Sequence, residues 1–173
     1  MTGIALSDMR TLSFELNPSA MEKGLVEALE WLAREYRQKH GLTLALNVLL
    51  FEQPMIDDTL KAILYRAVHE LARNIIKHSG VNSARISLSD QDNELSIRVD
   101  DAGKGFDTST PDPQRPLTFG LFSIAERLRI MKGEMNIVSA PGQGTSITLR
   151  VPLTPGDAGE GLPLQVMSVG SAR

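Results

Sequence analysis

The chain has 173 residues, 42% of them hydrophobic, and no cysteine, enough for one domain with its own core and too few for two ordinary ones. The missing cysteine excludes a disulfide framework, a thiolate zinc site, an iron–sulfur cluster and a cysteine nucleophile, and an intracellular compartment is expected. Eighteen Lys and Arg against twenty-one Asp and Glu give a net charge of −3, so no overall positive field exists to hold a polyanion and nucleic-acid binding is not expected.

In chain order, residues 4–16 read as a short amphipathic lead-in stopped by Asn17-Pro18, because the residue before proline leaves helical geometry. From Ser19, the apolar Leu25, Ala28, Leu29, Leu32, Ala33 and Tyr36 recur at helical spacing until His40-Gly41, which predicts one helix with one buried face. Period two then takes over. Leu42, Leu44, Leu46, Val48 and Leu50 alternate with Thr43, Ala45, Asn47 and Leu49, a strand covered mainly on one side. The apolar run 42–51 is broken by Asn47 and is too short to span a bilayer, so no membrane insertion by this chain is expected.

Asp57 or Asp58 can cap the next helix, whose stripe Leu60, Ile63, Leu64, Ala67, Val68, Leu71 and Ile75 runs on to Gly80. Residues 84–89 and 94–100 form a predicted hairpin joined through residues 90–93, with Ile86, Leu88, Leu95, Ile97 and Val99 inward. Residues 107–118 contain three prolines and little that is apolar, and a loop of that length suggests a lid. A helix over 121–131, with Leu121, Ile124, Ala125, Leu128 and Met131 inward, leads to strands near 134–140 and 145–152 around the turn Pro141-Gly142-Gln143-Gly144. Beyond Leu153 neither period persists, and a mobile tail over 154–173 is expected. Strands that follow one another without crossover helices require a largely antiparallel or mixed sheet, and helices would cover one face. The expected fold is therefore a two-layer α/β (α+β) sandwich with any ligand between the layers, under the lid.

Four segments could carry chemistry. Glu70, Asn74, Lys77 and His78 stand at i, i+4, i+7 and i+8 and share one polar stripe. A solvated helix face would look the same, but Asn is a poor mid-helix residue whose amide competes for backbone hydrogen bonds. Its oxygen beside a carboxylate suits Mg²⁺ held mainly by phosphates and water, with Lys77 balancing phosphate charge. In Asp100-Asp101-Ala102-Gly103-Lys104-Gly105-Phe106, strand alternation turns Asp101 inward and Asp100 outward with Arg98. An inward carboxylate needs donors, and an adenine amino group is one where guanine presents an acceptor. Gly103 and Gly105 would allow left-handed backbone and close ligand approach, although an Asp-rich turn is equally compatible with the motif. Phe119-Gly120-Leu121 would put a helix N-terminus near a phosphate, or simply start a helix. Gly142-Gln143-Gly144-Thr145 reads as a hairpin turn in which Thr145 has a supporting role.

Taken together and in this order, the segments resemble the catalytic ATP-binding domain of sensor histidine kinases, the Bergerat-type domain of the GHKL ATPases. The stretch from Leu64 to Ser79, with His69-Glu70 and Asn74-Ile75-Ile76-Lys77-His78-Ser79, looks like the family's N box. Asp101-Ala102-Gly103-Lys104-Gly105-Phe106 is similar to its adenine-binding glycine box, and Gly120-Leu121 with Glu126-Arg127, then Ala140-Pro141-Gly142-Gln143-Gly144-Thr145, are similar to the second glycine box and closing strands. Leu12-Ser13-Phe14-Glu15-Leu16-Asn17-Pro18 resembles the join to a dimerisation helix in the nitrate-sensor-like subgroup. Ser123 stands where that subgroup commonly has glycine.

The resemblance implies a lead-in over 1–18, a catalytic domain over 19–153 with a mixed sheet and an ATP lid, and transfer of the ATP γ-phosphoryl group to a histidine on a separate dimerisation domain, with a response regulator downstream. It implies catalytic Glu70, Asn74 and Lys77, Mg²⁺ on Asn74, and nucleotide contacts from Asn74, Lys77, His78, Asp101, Gly103, Gly105, Phe106, Gly120, Leu121 and Thr145. It also implies a cytoplasmic location, with a membrane anchor in a parent protein left open. A non-catalytic nucleotide-binding module and an anti-sigma-type serine kinase share the fold and remain the alternatives at this point.

Overall fold

A computed structural model describes residues 18–50, 52–109, 116–153 and 165–167. The lead-in over 1–17 and the centre of the expected lid, 110–115, lie outside the described residues.

Two helices, α1 (Pro18–Lys23) and α2 (Leu25–His40), stand where one was predicted. The break is Gly24, whose φ of 143° is a conformation that glycine adopts readily and other residues rarely. α2 buries Leu25, Ala28, Leu29, Leu32 and Tyr36, and left-handed Gly41 ends it with the amides of Gly41 and Leu42 returning to the carbonyls of Arg37 and Tyr36. In β1 (Thr43–Leu49) the predicted alternation fades along the strand: Leu44 is buried, while Val48, expected inward, is 40% exposed. β1 is a sheet edge, and edge strands are covered incompletely.

Asp57 caps α3 (Asp58–Asn74), its Oδ1 accepting from the Leu60 amide at 2.7 Å. The helix then widens into a five-residue π-helical turn, Ile75–Ser79, closed by Gly80 at φ 79°. β2 (Ser83–Gln91) and β3 (Glu94–Asp101) form the predicted hairpin, but its turn is only Asp92-Asn93. Both residues have positive φ, 53° and 63°, the conformation whose twist matches paired strands. α4 (Pro116–Ile130) begins five residues earlier than the sequence pattern suggested. Pro116 accounts for this, since proline is pre-set for a first helical turn where its missing N–H costs nothing. β4 (Glu134–Ser139) and β5 (Thr145–Pro152) follow as expected. The tail departs from expectation: Gln165–Met167 forms β6, pairing in parallel with β4, because β4 would otherwise expose an unpaired row of backbone groups.

The sheet order is β1-β2-β3-β5-β4-β6, with parallel pairs at both ends and antiparallel pairs between. Ile86, Leu88, Leu95, Ile97, Leu149 and Ile137 are buried on one face and meet Leu64, Val68, Leu71, Ile124 and Leu128 of the helices. The opposite face carries Arg85, Arg98, Thr148 and Arg150. This is the expected two-layer sandwich with its helices on one side. Among the described residues, no helix is long and apolar enough to cross a membrane.

Candidate functional site

A cavity of about 250 Å³ opens between α3 with its π-helical turn and the ends of β3 and β5. Its apolar walls are Leu71, Ile75, Val99 and Ile147, and its polar groups come from Asn74, His78, Ser79, Asp101, Lys104 and Thr145, with Gly105 and Phe106 on the loop side. Six of the eleven residues singled out from the sequence are thus brought together: Asn74, His78, Asp101, Gly105, Phe106 and Thr145.

Asn74 is 9% exposed and its amide nitrogen has no hydrogen-bond partner. A buried donor left unpaired costs on the order of 1–3 kcal/mol, so its presence beside a cavity marks a place where an acceptor is wanted. Asp101 faces the cavity as strand alternation required. Burial pushes its carboxyl above the ordinary 3.8, the Gly103 amide at 2.8 Å on Oδ1 pulls the other way, and neighbouring Asp100 pushes up again. Asp100 lies on the opposite face with Arg98 at 2.8 Å. His78 is held below 6.5, first by burial and then by the charges of Lys77 and Lys104, against an opposing pull from Glu70.

Five predicted residues lie off the cavity. Lys77 is exposed and is not among the lining residues, though its charge reaches His78. Glu70 sits beside it, paired with Arg73 at 2.8 Å. Gly120 is inside α4 rather than at its start, and a Cβ there would come within 2.6 Å of Glu70 Oε1. Leu121 is 5% exposed and packs in the core. Both differ from the expected helix N-terminus because α4 starts at Pro116. Gly103 keeps an ordinary φ, and the space its missing Cβ leaves is taken by Ser79, not by open cavity. Gly105 does adopt a left-handed φ of 59°, with the Ala140 carbonyl oxygen 2.1 Å from where a Cβ would stand.

Sequence reasoning missed Ser79, Lys104 and Ser139. The Ser139 hydroxyl accepts from the Phe106 amide at 3.0 Å, donates to the Gly144 carbonyl at 2.9 Å, and lies 3.1 Å from Thr145 Oγ1. It thereby ties the glycine loop to the closing hairpin. A lone serine at a strand end carries no period or motif, so nothing in the sequence marked it.

Chemically, an apolar slot with one carboxylate at its side suits a flat ring bearing an amino group. A buried unpaired amide, the Lys104 ammonium and the ring N–H of a neutral His78 suit an anion carried on the same molecule.

The chain is similar to sensor histidine kinase LiaS of Bacillus subtilis (strain 168), 32% identical over 161 residues, covering 92% of this chain and 43% of that protein. It is similar to oxygen sensor histidine kinase NreB of Staphylococcus carnosus (strain TM300), 31% identical over 150 residues, covering 86% and 42%. The chain therefore spans less than half the length of these relatives. In fold it is similar to the histidine kinase domain of the Erythrobacter litoralis EL346 blue-light activated kinase, TM-score 0.60 at 19% identity over 75% of this chain and 61% of that one. It is likewise similar to the Acinetobacter baumannii histidine kinase AdeS, TM-score 0.55 at 18% identity over 86% and 76%. Residues 59–155, more than half the chain and the part that builds the cavity, match the family model for the histidine kinase-, DNA gyrase B-, and HSP90-like ATPases, and the chain belongs to that family.

Proposed function

We propose that the cavity binds ATP and that the chain is the catalytic part of a two-component sensor histidine kinase, passing the γ-phosphoryl group to a histidine on a dimerisation domain and from there to a response regulator. The observation that carries this reading is the pairing, in one cavity, of a buried amide without a partner at Asn74 and a desolvated carboxyl at Asp101. Asp101 accepts from the adenine amino group, and Leu71, Ile75, Val99 and Ile147 enclose the ring. Thr145 and Phe106 line the same side. His78 and Lys104 meet the phosphate end, and Lys77, at the rim, contributes long-range positive charge.

The residues fit Mg²⁺ in a limited way. Among the described residues no cluster of three or more His, Cys, Asp or Glu could hold a metal, so Asn74 would be its one protein ligand, with phosphate and water oxygens completing the shell. When bound there, the ion would supply charge neutralisation for the transferred group. Glu70, next to the cavity and held by Arg73, is the base or orienting group for the acceptor imidazole, whose nitrogen bonds the γ-phosphorus as the bond to the β-phosphate oxygen breaks and ADP leaves. The fold-bearing unit is residues 19–153, and the chemistry is cytoplasmic.

The test is incubation of the chain with γ-labelled Mg-ATP and a separately supplied dimerisation domain from a sensor kinase of this family. Acid-labile label on that domain, absent in Asn74→Ala, is the expected result. Binding of Mg-ATP with no transfer to any such domain refutes the kinase and leaves a binding module; acid-stable label on a protein substrate identifies a serine kinase instead.

A further inference from the structure

We propose that Ser79 is a positioning residue of the cavity, its hydroxyl setting the π-helical turn and, through it, the places of His78 and of the Gly103-Lys104 loop. This rests on the reading of the cavity as a nucleotide site. A helix end leaves carbonyls and the following amides in need of partners. The Ser79 hydroxyl serves one of each, donating to the Ile75 carbonyl at 2.7 Å and accepting from the Val81 amide at 3.1 Å. It is 8% exposed, so water does not replace it readily.

The same residue holds the glycine loop. Its backbone carbonyl accepts from the Lys104 amide at 2.9 Å, and the Lys104 carbonyl in turn accepts from the Gly142 amide at 2.6 Å. A Cβ on Gly103 would stand 2.5 Å from the Ser79 carbonyl oxygen and 2.6 Å from Ser79 Cβ, so turn and loop are in contact without slack. One residue thus joins three pieces of the cavity wall: the end of the Asn74 helix, the loop that follows Asp101, and the hairpin that carries Thr145. π-helical turns are rare and concentrate at functional sites, and here the widened turn is the segment the hydroxyl closes.

His78 reports on this arrangement. The charges around it are Lys77 on its own turn, Glu70 on α3 and Lys104 on the loop, with Asp101 of β3 lining the same cavity. The Ser79 carbonyl that receives the Lys104 amide belongs to the turn that the hydroxyl closes, so a turn that relaxes shifts both His78 and the loop, and the histidine then titrates closer to its ordinary value.

The experiment uses the full 173-residue chain as wild type, Ser79→Ala and Ser79→Thr, with His78 titrated by NMR and Mg-ATP binding measured by calorimetry. Ser79→Ala is expected to move the His78 pKa upward toward 6.5 and, through the displaced cavity wall, to weaken Mg-ATP about tenfold. Ser79→Thr, which keeps the hydroxyl, restores both. A folded Ser79→Ala that binds Mg-ATP as wild type does, with the His78 titration unmoved, overturns the proposal, as would a lower melting temperature alone. A wild-type chain that fails to bind Mg-ATP overturns the nucleotide reading instead, and the His78 titration still judges Ser79. Should Ser79→Ala not fold, amide exchange in the wild-type chain decides. The Val81 and Lys104 amides, both bonded to Ser79, are expected to show matching protection, and independent exchange rejects the coupling.

Discussion

Asp100 and Asp101 are adjacent and chemically identical, and the pleat alone gives them different work. Asp100 lies on the open sheet face with Arg98, while Asp101 lines the cavity, where burial raises its pKa above 3.8. A carboxyl whose folded pKa exceeds the unfolded one binds more protons when folded, so its contribution to stability falls as pH rises from about 4 through the raised value. At neutral pH the ligand-free chain therefore carries a cost at this residue. Asp101→Asn is expected to raise the melting temperature of the ligand-free chain at pH 7, since Asn Oδ1 still receives the Gly103 amide. The same variant opposes an amide nitrogen to the adenine amino group and should lose an ATP-over-GTP preference of at least about tenfold. Thermal unfolding with and without Mg-ATP and Mg-GTP checks both, and an unchanged ATP preference removes Asp101 from the adenine. His78 has the opposite sign of shift, lowered from 6.5. Its contribution is present above 6.5 and lost as pH falls through the lowered value, so the wild type should lose more melting temperature between pH 6.5 and 5 than His78→Asn does.

At the scale of elements, helix and strand periods located α2, α3, the β2–β3 hairpin and the last two long strands, because each buries a continuous face. What escaped the pattern were features set by contacts between elements. Gly24 splits a helix at a positive φ with Gln53 packed beside it, and β6 pairs along the edge that β4 offers. Neither partner is near in sequence. The cavity was half legible for the same reason: motif residues Asn74 and Asp101 announced themselves by residue type, whereas Ser79 and Ser139 act through backbone groups of distant segments. Two glycines separate these kinds of constraint. At Gly120 an added Cβ meets the far end of the flexible Glu70 side chain, which can move. Gly120→Ala should therefore leave stability unchanged or raise it by up to about 1 kcal/mol, the helix preference for alanine, while displacing the carboxylate and slowing phosphoryl transfer by about 10²-fold. At Gly105 the obstacle is the Ala140 backbone and φ is already left-handed. Gly105→Ala should cost about 1–3 kcal/mol in denaturant unfolding. Equal stability losses at the two positions would contradict this distinction.

Across the whole molecule, the sheet order separates where ligand is held from where the fold is extended. The cavity draws on β3 and β5, the central antiparallel strands, and on the helix above them. β6 lies at one edge and pairs with β4 through three register positions, while the lining among the described residues comes from positions 71–147. A chain ending at Leu153 loses that short ladder and keeps every cavity-lining residue among the described ones. The lost pairing is worth about 1–3 kcal/mol, roughly 2–10 °C of melting temperature for a domain of this size. Mg-ATP affinity below that temperature should stay within about twofold of the full chain, because RT ln(1 + [L]/Kd) stabilisation depends on the site alone once the fold is intact. Calorimetric titration of the shortened chain against the full one measures this directly. A folded 1–153 chain that no longer binds Mg-ATP would show that residues 154–173 reach the cavity, and would move the boundary of the catalytic unit from 153 to the end of the sequence.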